Sequence, residues 1–211
     1  VVRLCASLGM VGLGHIAFDG TKLKANAALT QSRDRDSLEK EIESIKAQVR
    51  QMIEASIQID ESEEQAHPYG DGSEMAKELR EKEYRLKRLN EARETLEREK
   101  LKRVNITDPE SRLMQDSRRT IQPSYNGQIA VDEKEQVIVA TDITQETTDH
   151  HELIKMVEVV EQNMGALPKE ASADAGYSSY ANLEYARQRG LDAYIPDDFF
   201  VALEKKDESE K

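Results

Sequence analysis

His15-Ile16-Ala17-Phe18-Asp19-Gly20-Thr21-Lys22 starts as a short, loosely alternating apolar run and ends at an acid followed by Gly-Thr. The alternation predicts a buried strand, and Gly20-Thr21 predicts a turn. Far along the chain, Ala171-Ser172-Ala173-Asp174 is a small-residue run that also ends at an acid, with Gly176 next. Although 155 residues separate Asp19 from Asp174, both predict a carboxylate at the end of a strand. What lies between them determines whether the two acids can meet.

The β-like pattern resumes at Tyr125. Gln128–Asp132 and Gln136–Ile143 predict two strands joined by Glu133-Lys134-Glu135, a hairpin. A helix is predicted from Asp149, as its cap, to about Met164. It carries Leu153, Met156, Val157 and Val160 on one face, and Gly165 stops it. A second helix is predicted over Ser179–Arg189, ended by Gly190, and a last strand over Leu191–Pro196.

Residues 33–119 have a different character. Leu38, Ile42, Ile45, Val49 and Met52 follow the spacing of a narrow helical seam within residues 33–59. A second seam, Met75, Leu79, Leu86, Leu89 and Leu96 with Ala92 beside it, predicts a helix over about 74–103. Lys82 and Arg93 interrupt it. Between the seams lie an acidic stretch and Pro68-Tyr69-Gly70-Asp71-Gly72, which is turn chemistry, with Ser73 as a cap for the second helix. Two seamed helices joined this way predict an antiparallel helical hairpin. Residues 75–103 hold eleven Lys and Arg against seven Glu, so this arm is basic within a chain of net charge −12. Asp108-Pro109 ends the helix and opens a polar linker containing Arg112, Arg118 and Arg119.

Composition removes several classes of function. Apolar residues make up 37% and charged residues 34%, which predicts a compact part joined to a solvated one. The single cysteine, Cys5, makes neither an internal disulfide nor a Cys-based zinc site, and a reducing, cytoplasmic setting follows. No apolar run approaches the roughly 20 residues that span a bilayer. Val1–Phe18 is apolar and Gly-rich, but Arg3 is its only basic residue, unlike a secretory signal. Val at position 1 suggests a piece of a longer chain. The acidic balance argues against a simple nucleic-acid-binding module, not against an enzyme that holds cations near DNA. Gly9, Gly12 and Gly14 lack the Lys-Ser/Thr ending of a phosphate loop. His150-His151 are adjacent, and adjacent residues on a helix diverge, so they make a poor metal pair. His15 and His67 stand alone.

With residues 33–119 set aside, the element order is β-β-β-α-β-α-β. This is the order of the ribonuclease-H-like fold, in which the first and fourth strands are neighbours. The fold class is thus α/β: a ribonuclease-H-like mixed sheet interrupted by a long antiparallel, coiled-coil hairpin. The core is assigned to 1–32 and 120–198, the hairpin and linker to 33–119, and a polar tail to 199–211. Neighbouring strands would set Asp19 against Asp174. Two close carboxylates stay ionised comfortably only with cations between them. Mg²⁺ suits an all-oxygen site and takes water and substrate phosphate as further ligands.

Phe18-Asp19-Gly20-Thr21-Lys22-Leu23-Lys24-Ala25-Asn26-Ala27 resembles the first-acid motif of bacterial insertion-sequence transposases of the DDE type. Ala173-Asp174-Ala175-Gly176-Tyr177 resembles their second-acid motif. Thr107–Met114 and Tyr125–Asp132 also look like that family, and the inserted hairpin marks one subgroup. The resemblance runs from Val1 to about Pro196. It implies that Asp19 and Asp174 are catalytic, metal-binding acids for DNA cleavage and strand transfer with Mg²⁺ or Mn²⁺, two ions in the complete enzyme. DNA and further copies of the chain are the implied partners. A Glu in a Tyr-x-x-Arg setting is the implied third acid. No such setting occurs near Glu204 or Glu208, so the chain is expected to stop before it and to lack a preceding DNA-binding region.

Each residue also has a plainer role. Asp19 and Asp174 could begin turns. Lys22, Lys24, Arg118 and Arg119 could grip DNA phosphates or be solvated. Asn126 could serve DNA or a turn. Two other readings compete with a partial transposase domain. One is a catalytically inactive remnant or coiled-coil interaction protein. The other is a ribonuclease-H-like nuclease whose third ligand is Asp132 or Asp142.

Overall fold

The computed structural model describes residues 1–63 and 73–197, with side chains at 1–57 and 77–197. The Pro68–Gly72 turn, His67, the Ser73 and Met75 side chains, Glu204, Glu208 and the tail 199–211 lie outside what is described. In chain order the elements are α1 (Val2–Ser7), β1 (His15–Lys24), β2 (Ser32–Arg33), α2 (Arg35–Glu63), α3 (Ser73–Arg98), β3 (Val104–Asn105) and β4 (Arg112–Gln115). They continue with β5 (Ile121–Asp132), β6 (Ile138–Thr144), α4 (Glu152–Met164), β7 (Glu170–Ser172), α5 (Tyr180–Arg189) and β8 (Asp192–Tyr194). The architecture is α/β with a mixed sheet. Among the described residues no helix is long and apolar enough to cross a membrane.

The chain divides into two units, Val1–Leu23 with Leu113–Lys211, and Lys24–Arg112. In the first, six strands form one sheet in the order β4-β5-β1-β7-β8, with β6 also on β5. β1 and β7 run parallel, as do β7 and β8, whereas β5 and β6 run antiparallel. Ile16 and Phe18 alternate into the core and meet Leu153, Met156, Val157 and Val160 of α4. Gly165 (φ 75°) closes α4 and Gly190 (φ 66°) closes α5 in the left-handed conformation that glycine adopts freely. Ser179 caps α5 by accepting from the Asn182 N–H at 3.2 Å.

Some boundaries move. α4 starts at Glu152, and its N-cap residue is His151, so Asp149 does not cap it. β6 starts at Ile138 because Gln136 turns with φ 55°. Arg112–Gln115, read as linker, pairs as β4 with β5. The connecting turn folds onto Asp116, whose Oδ1 accepts from the Arg118 N–H (2.9 Å) and the Thr120 N–H (2.8 Å).

In the second unit α2 and α3 pack antiparallel. Arg35 pairs with Glu97, Arg85 with Glu41, and Lys82 with Gln48, so rising numbers on one helix meet falling numbers on the other. Leu38 and Ile42 are buried against Leu89, Ala92 and Leu96. Val49, Met52 and Leu79 of the same seams are only half-buried. Two helices alone cannot enclose a side chain; burial is complete where Val104 and Ile106 add a third wall. α3 ends at Arg98, short of the expected 103. Lys100 takes φ 54° and the Leu101 N–H donates back to the Leu96 carbonyl (3.0 Å), a Schellman closure. The short β2–β3 ladder is tied by Asn105, whose Nδ2 donates to the Ala28 carbonyl (2.8 Å) and Ser32 Oγ (3.1 Å). That bond groups residues 24–32 with the helices, and the β4–β5 pairing groups 113–119 with the sheet.

Candidate functional site

The parallel register of β1 and β7 sets Ile16 opposite Ala171 and Ala17 opposite Ser172. Carried two residues on, it brings Asp19, midway along β1, level with Asp174, just past the carboxyl end of β7. Ligand sites of open α/β sheets collect at such ends. Both acids are exposed. Each spends one oxygen locally: Asp19 Oδ1 accepts from the Gly20 N–H (2.8 Å), and Asp174 Oδ1 from the Gly176 N–H (2.9 Å). The second bond caps a 3-10 turn, Ala175–Tyr177, which carries Tyr177 inward to full burial.

A buried polar network lies next to them. On β5, Asn126 and Gln128 are 0% and 1% exposed. Asn126 Nδ2 donates to Asp149 Oδ1 at 2.6 Å, and Gln128 Nε2 donates to the same oxygen at 2.7 Å. Gln128 Nε2 also donates to Asn126 Oδ1 (3.1 Å), and its Oε1 accepts from the Tyr177 hydroxyl. Both amides are thereby oriented. Burial pushes the Tyr177 hydroxyl well above its ordinary value, and the charges of Asp149, Asp174 and Asp19 add to this, so it stays protonated and donates. Lys22 Nζ sits 3.5 Å from Asp149 Oδ1, and both side chains are 17% exposed.

Other candidates have their own surroundings. Lys24 is exposed at the end of β1, and Arg118 and Arg119 are exposed in the β4–β5 turn. Asp132 is fully buried and accepts from the Leu13 N–H (2.8 Å) and the Lys134 N–H (3.0 Å). Asp142 pairs with Lys155. Both carboxylates are thus committed to local partners. His150 Nδ1 donates to the Ser178 carbonyl (3.2 Å), and His15 Nε2 shares a hydrogen bond with Ser172 Oγ (2.9 Å).

Among the described residues no three His, Cys, Asp or Glu side chains are disposed to hold a metal ion. An all-protein cage is therefore not what these residues build. Two exposed carboxylates on adjacent strands do fit Mg²⁺, which keeps several waters and commonly takes only one or two carboxylates with substrate phosphate.

Asp149, Asn126, Gln128 and Tyr177 are the residues that motif reading underweights. One pattern does reveal them. Ser124, Asn126, Gln128 and Asp132 occupy alternate, inward positions of β5, while Ile129 and Val131 on the other face are less buried. Polar residues on the buried face of a strand need partners, and partners imply a network. In comparisons with known proteins, no family model matches the chain and no curated protein matches it.

Proposed function

We propose that the chain is part of the catalytic domain of a DDE transposase, with Asp19 and Asp174 as two of its metal-binding acids. The observation that carries this is the β1–β7 register, which aligns two acids 155 residues apart at the carboxyl end of β7. The β5-β1-β7-β8 order, with β6 antiparallel on β5 and β4 also on β5, supports a ribonuclease-H-like core. The antiparallel α2–α3 pair, lying in sequence between β1 and β5, supports the subgroup with a coiled-coil hairpin inserted after the first acid.

On this reading Asp19 and Asp174 hold Mg²⁺ or Mn²⁺, with a third carboxylate supplied from beyond the residues described. Bound, the metal polarises phosphodiester oxygens and stabilises charge on the attacking and leaving ones. In cleavage, water attacks phosphorus and the bond to the 3′-oxygen breaks, giving a 5′-phosphate and a 3′-hydroxyl, with a proton of the water passing to solvent and one from solvent reaching the leaving 3′-oxygen. In transfer, that 3′-hydroxyl loses its proton to solvent and attacks a target phosphodiester, and the target 3′-oxygen leaves and takes up a proton from solvent. Lys24, Arg118 and Arg119 are placed as DNA-backbone contacts, and Lys22 as a contact released from Asp149. The partners are transposon-end and target DNA and further copies of the chain, in the cytoplasm.

Calorimetric Mn²⁺ titration of the wild type, Asp19→Ala and Asp174→Ala tests the proposal. Binding by the wild type that both variants lose supports it. Binding that survives in either variant, or none in the wild type, overturns the metal site. A second reading, a coiled-coil interaction protein, is favoured by Ile53 and Ile57 on α2 and Tyr84 on α3, which are 46%, 52% and 65% exposed. A concentration-dependent dimer that persists in Asp19→Ala would favour it, and a strict monomer would count against it.

A further inference from the structure

The proposed chemistry leaves Asp149 unused, yet its carboxylate is firmly held beside β1. Its Oδ1 takes the Asn126 amide at 2.6 Å, the Gln128 amide at 2.7 Å and the Lys22 ammonium at 3.5 Å. That oxygen is saturated, so the side chain is fixed in place and poorly suited to bind a metal through it. The same oxygen fills the space beside Gly20. A Cβ built on Gly20 would lie 2.6 Å from Asp149 Oδ1 and 2.6 Å from Gln128 Nε2. The other oxygen, Oδ2, lies 3.6 Å from a Cβ built on Gly176. Gly20 directly follows Asp19 and donates its N–H to it; Gly176 donates its N–H to Asp174.

We propose that Asp149 is the positioning residue of this site: its amide-locked carboxylate packs against Gly20 of β1 and the Gly176 turn and thereby sets where Asp19 and Asp174 stand. The inference rests on the metal site proposed for those two acids. It assigns Asp149 a role through shape and hydrogen bonding, not through ligation. Supporting groups behind metal ligands commonly govern affinity by 10- to 100-fold. Gln128 extends the lock to Tyr177, in the turn after Asp174, so both acids are referred to one buried frame.

The test is Mn²⁺ titration of the full chain at a temperature well below its unfolding midpoint. Asp149→Ala removes the wedge and is expected to weaken binding about tenfold or more. Asp149→Asn keeps the volume and offers an oxygen to both amides, so it is expected to stay within about threefold of wild type. Rescue by Asn separates positioning from ligation, because a ligand's charge is lost in either variant. Wild-type affinity in Asp149→Ala overturns the inference, as does a loss in Asp149→Asn equal to that in Asp149→Ala. Should Asp149→Ala fail to fold, Asn126→Ser takes one donor from Oδ1 and is expected to weaken Mn²⁺ binding several-fold; no change overturns the inference. A wild type that binds no Mn²⁺ sinks the metal site and this inference with it. Wild-type binding with an indifferent Asp149→Ala sinks the inference alone.

Discussion

Glu41 on α2 and Asp149 before α4 are both largely buried carboxylates, and their surroundings treat them differently. Glu41 is claimed by two arginines: Arg85 through Nη2 (2.7 Å) and Nε (3.0 Å), and Arg33 through Nε (3.3 Å). Its charge is closed within the helical unit. Asp149 is held mainly by two neutral amides, with one ammonium 3.5 Å away. The charges of Asp149, Asp174 and Asp19 all raise the Tyr177 hydroxyl above its ordinary value. One ammonium answers Asp149, while Asp19 and Asp174 are exposed and each accept one backbone N–H. Glu41 is therefore a structural ion pair, and the site proposed at Asp19 and Asp174 is where a cation is expected to bind.

The contrast is sharpest in how the two units respond to metal. Mn²⁺ at about 100 times its Kd is expected to stabilise the wild type by about 2.7 kcal/mol. Asp19→Ala should gain nothing. Hydrogen exchange should slow in β1 and β7 and stay unchanged in α2 and α3. Equal slowing in both units, or none, would remove the distinction.

A smaller effect tests whether the Asp149 frame is as tight as the contacts imply. Gly20→Ala forces a methyl into space held by Asp149 Oδ1 and Gln128 Nε2. Overpacking of this kind costs about 2 kcal/mol. Urea unfolding without metal measures it; a loss under about 0.5 kcal/mol would show that the frame yields.

Legibility in sequence followed the same divide. Apolar periodicity exposed the seams of α2 and α3 and the inward face of α4, because burial imprints itself on residue type. The strands that carry Asp19 and lead to Asp174 were legible from small and apolar runs meeting an acid, but the first does not end there: Gly20-Thr21, expected to turn, continues β1 to Lys24. Periodicity was blind to extent: half-burial of Val49 and Leu79 depends on a third wall, Val104 and Ile106, contributed from beyond the helices. It also misplaced Asp149, whose position just before a helical pattern looks like a cap. Its real partners lie 21 and 23 residues away on β5, and no local rule reaches that far. β4 escaped because four residues, Arg112–Gln115, offer too little alternation to separate from a polar linker.

The Glu41 side of the comparison has its own check. Glu41→Gln leaves hydrogen bonding partly intact and removes the charge that both arginines face. The three side chains are about a quarter to a third exposed, so solvent screens much of the loss. A destabilisation of about 1 kcal/mol is expected, shrinking in high salt. A loss that persists undiminished in molar salt would mean that packing, not charge, holds Arg85 against α2.

The smallest expected effect is a difference in sign between the units. Glu152, at the start of α4, is 3% exposed, and burial raises its carboxyl above the ordinary 4.5, against the lowering by a Thr144 hydrogen bond and Lys155. Asp34, just before α2, is held below its ordinary 3.8 by its hydrogen bonds with Ser37. A raised carboxyl means that the folded chain binds its proton more tightly than the unfolded chain. Glu152 therefore contributes stability at acid pH that is lost as pH rises from the ordinary carboxylate range through its folded value. Asp34 contributes in the opposite sense: its stability is present above the ordinary value and is lost as pH falls through its depressed one. Glu152→Gln keeps the shape without the titration. Subtracting its metal-free stability curve from that of the wild type should leave a difference that grows against the wild type as pH rises above about 4.5 and then levels. Asp34→Asn should leave a difference confined to lower pH and of opposite slope. A flat Glu152 difference would mean that the carboxylate finds compensation at the α4 N-terminus, where the helix dipole favours negative charge.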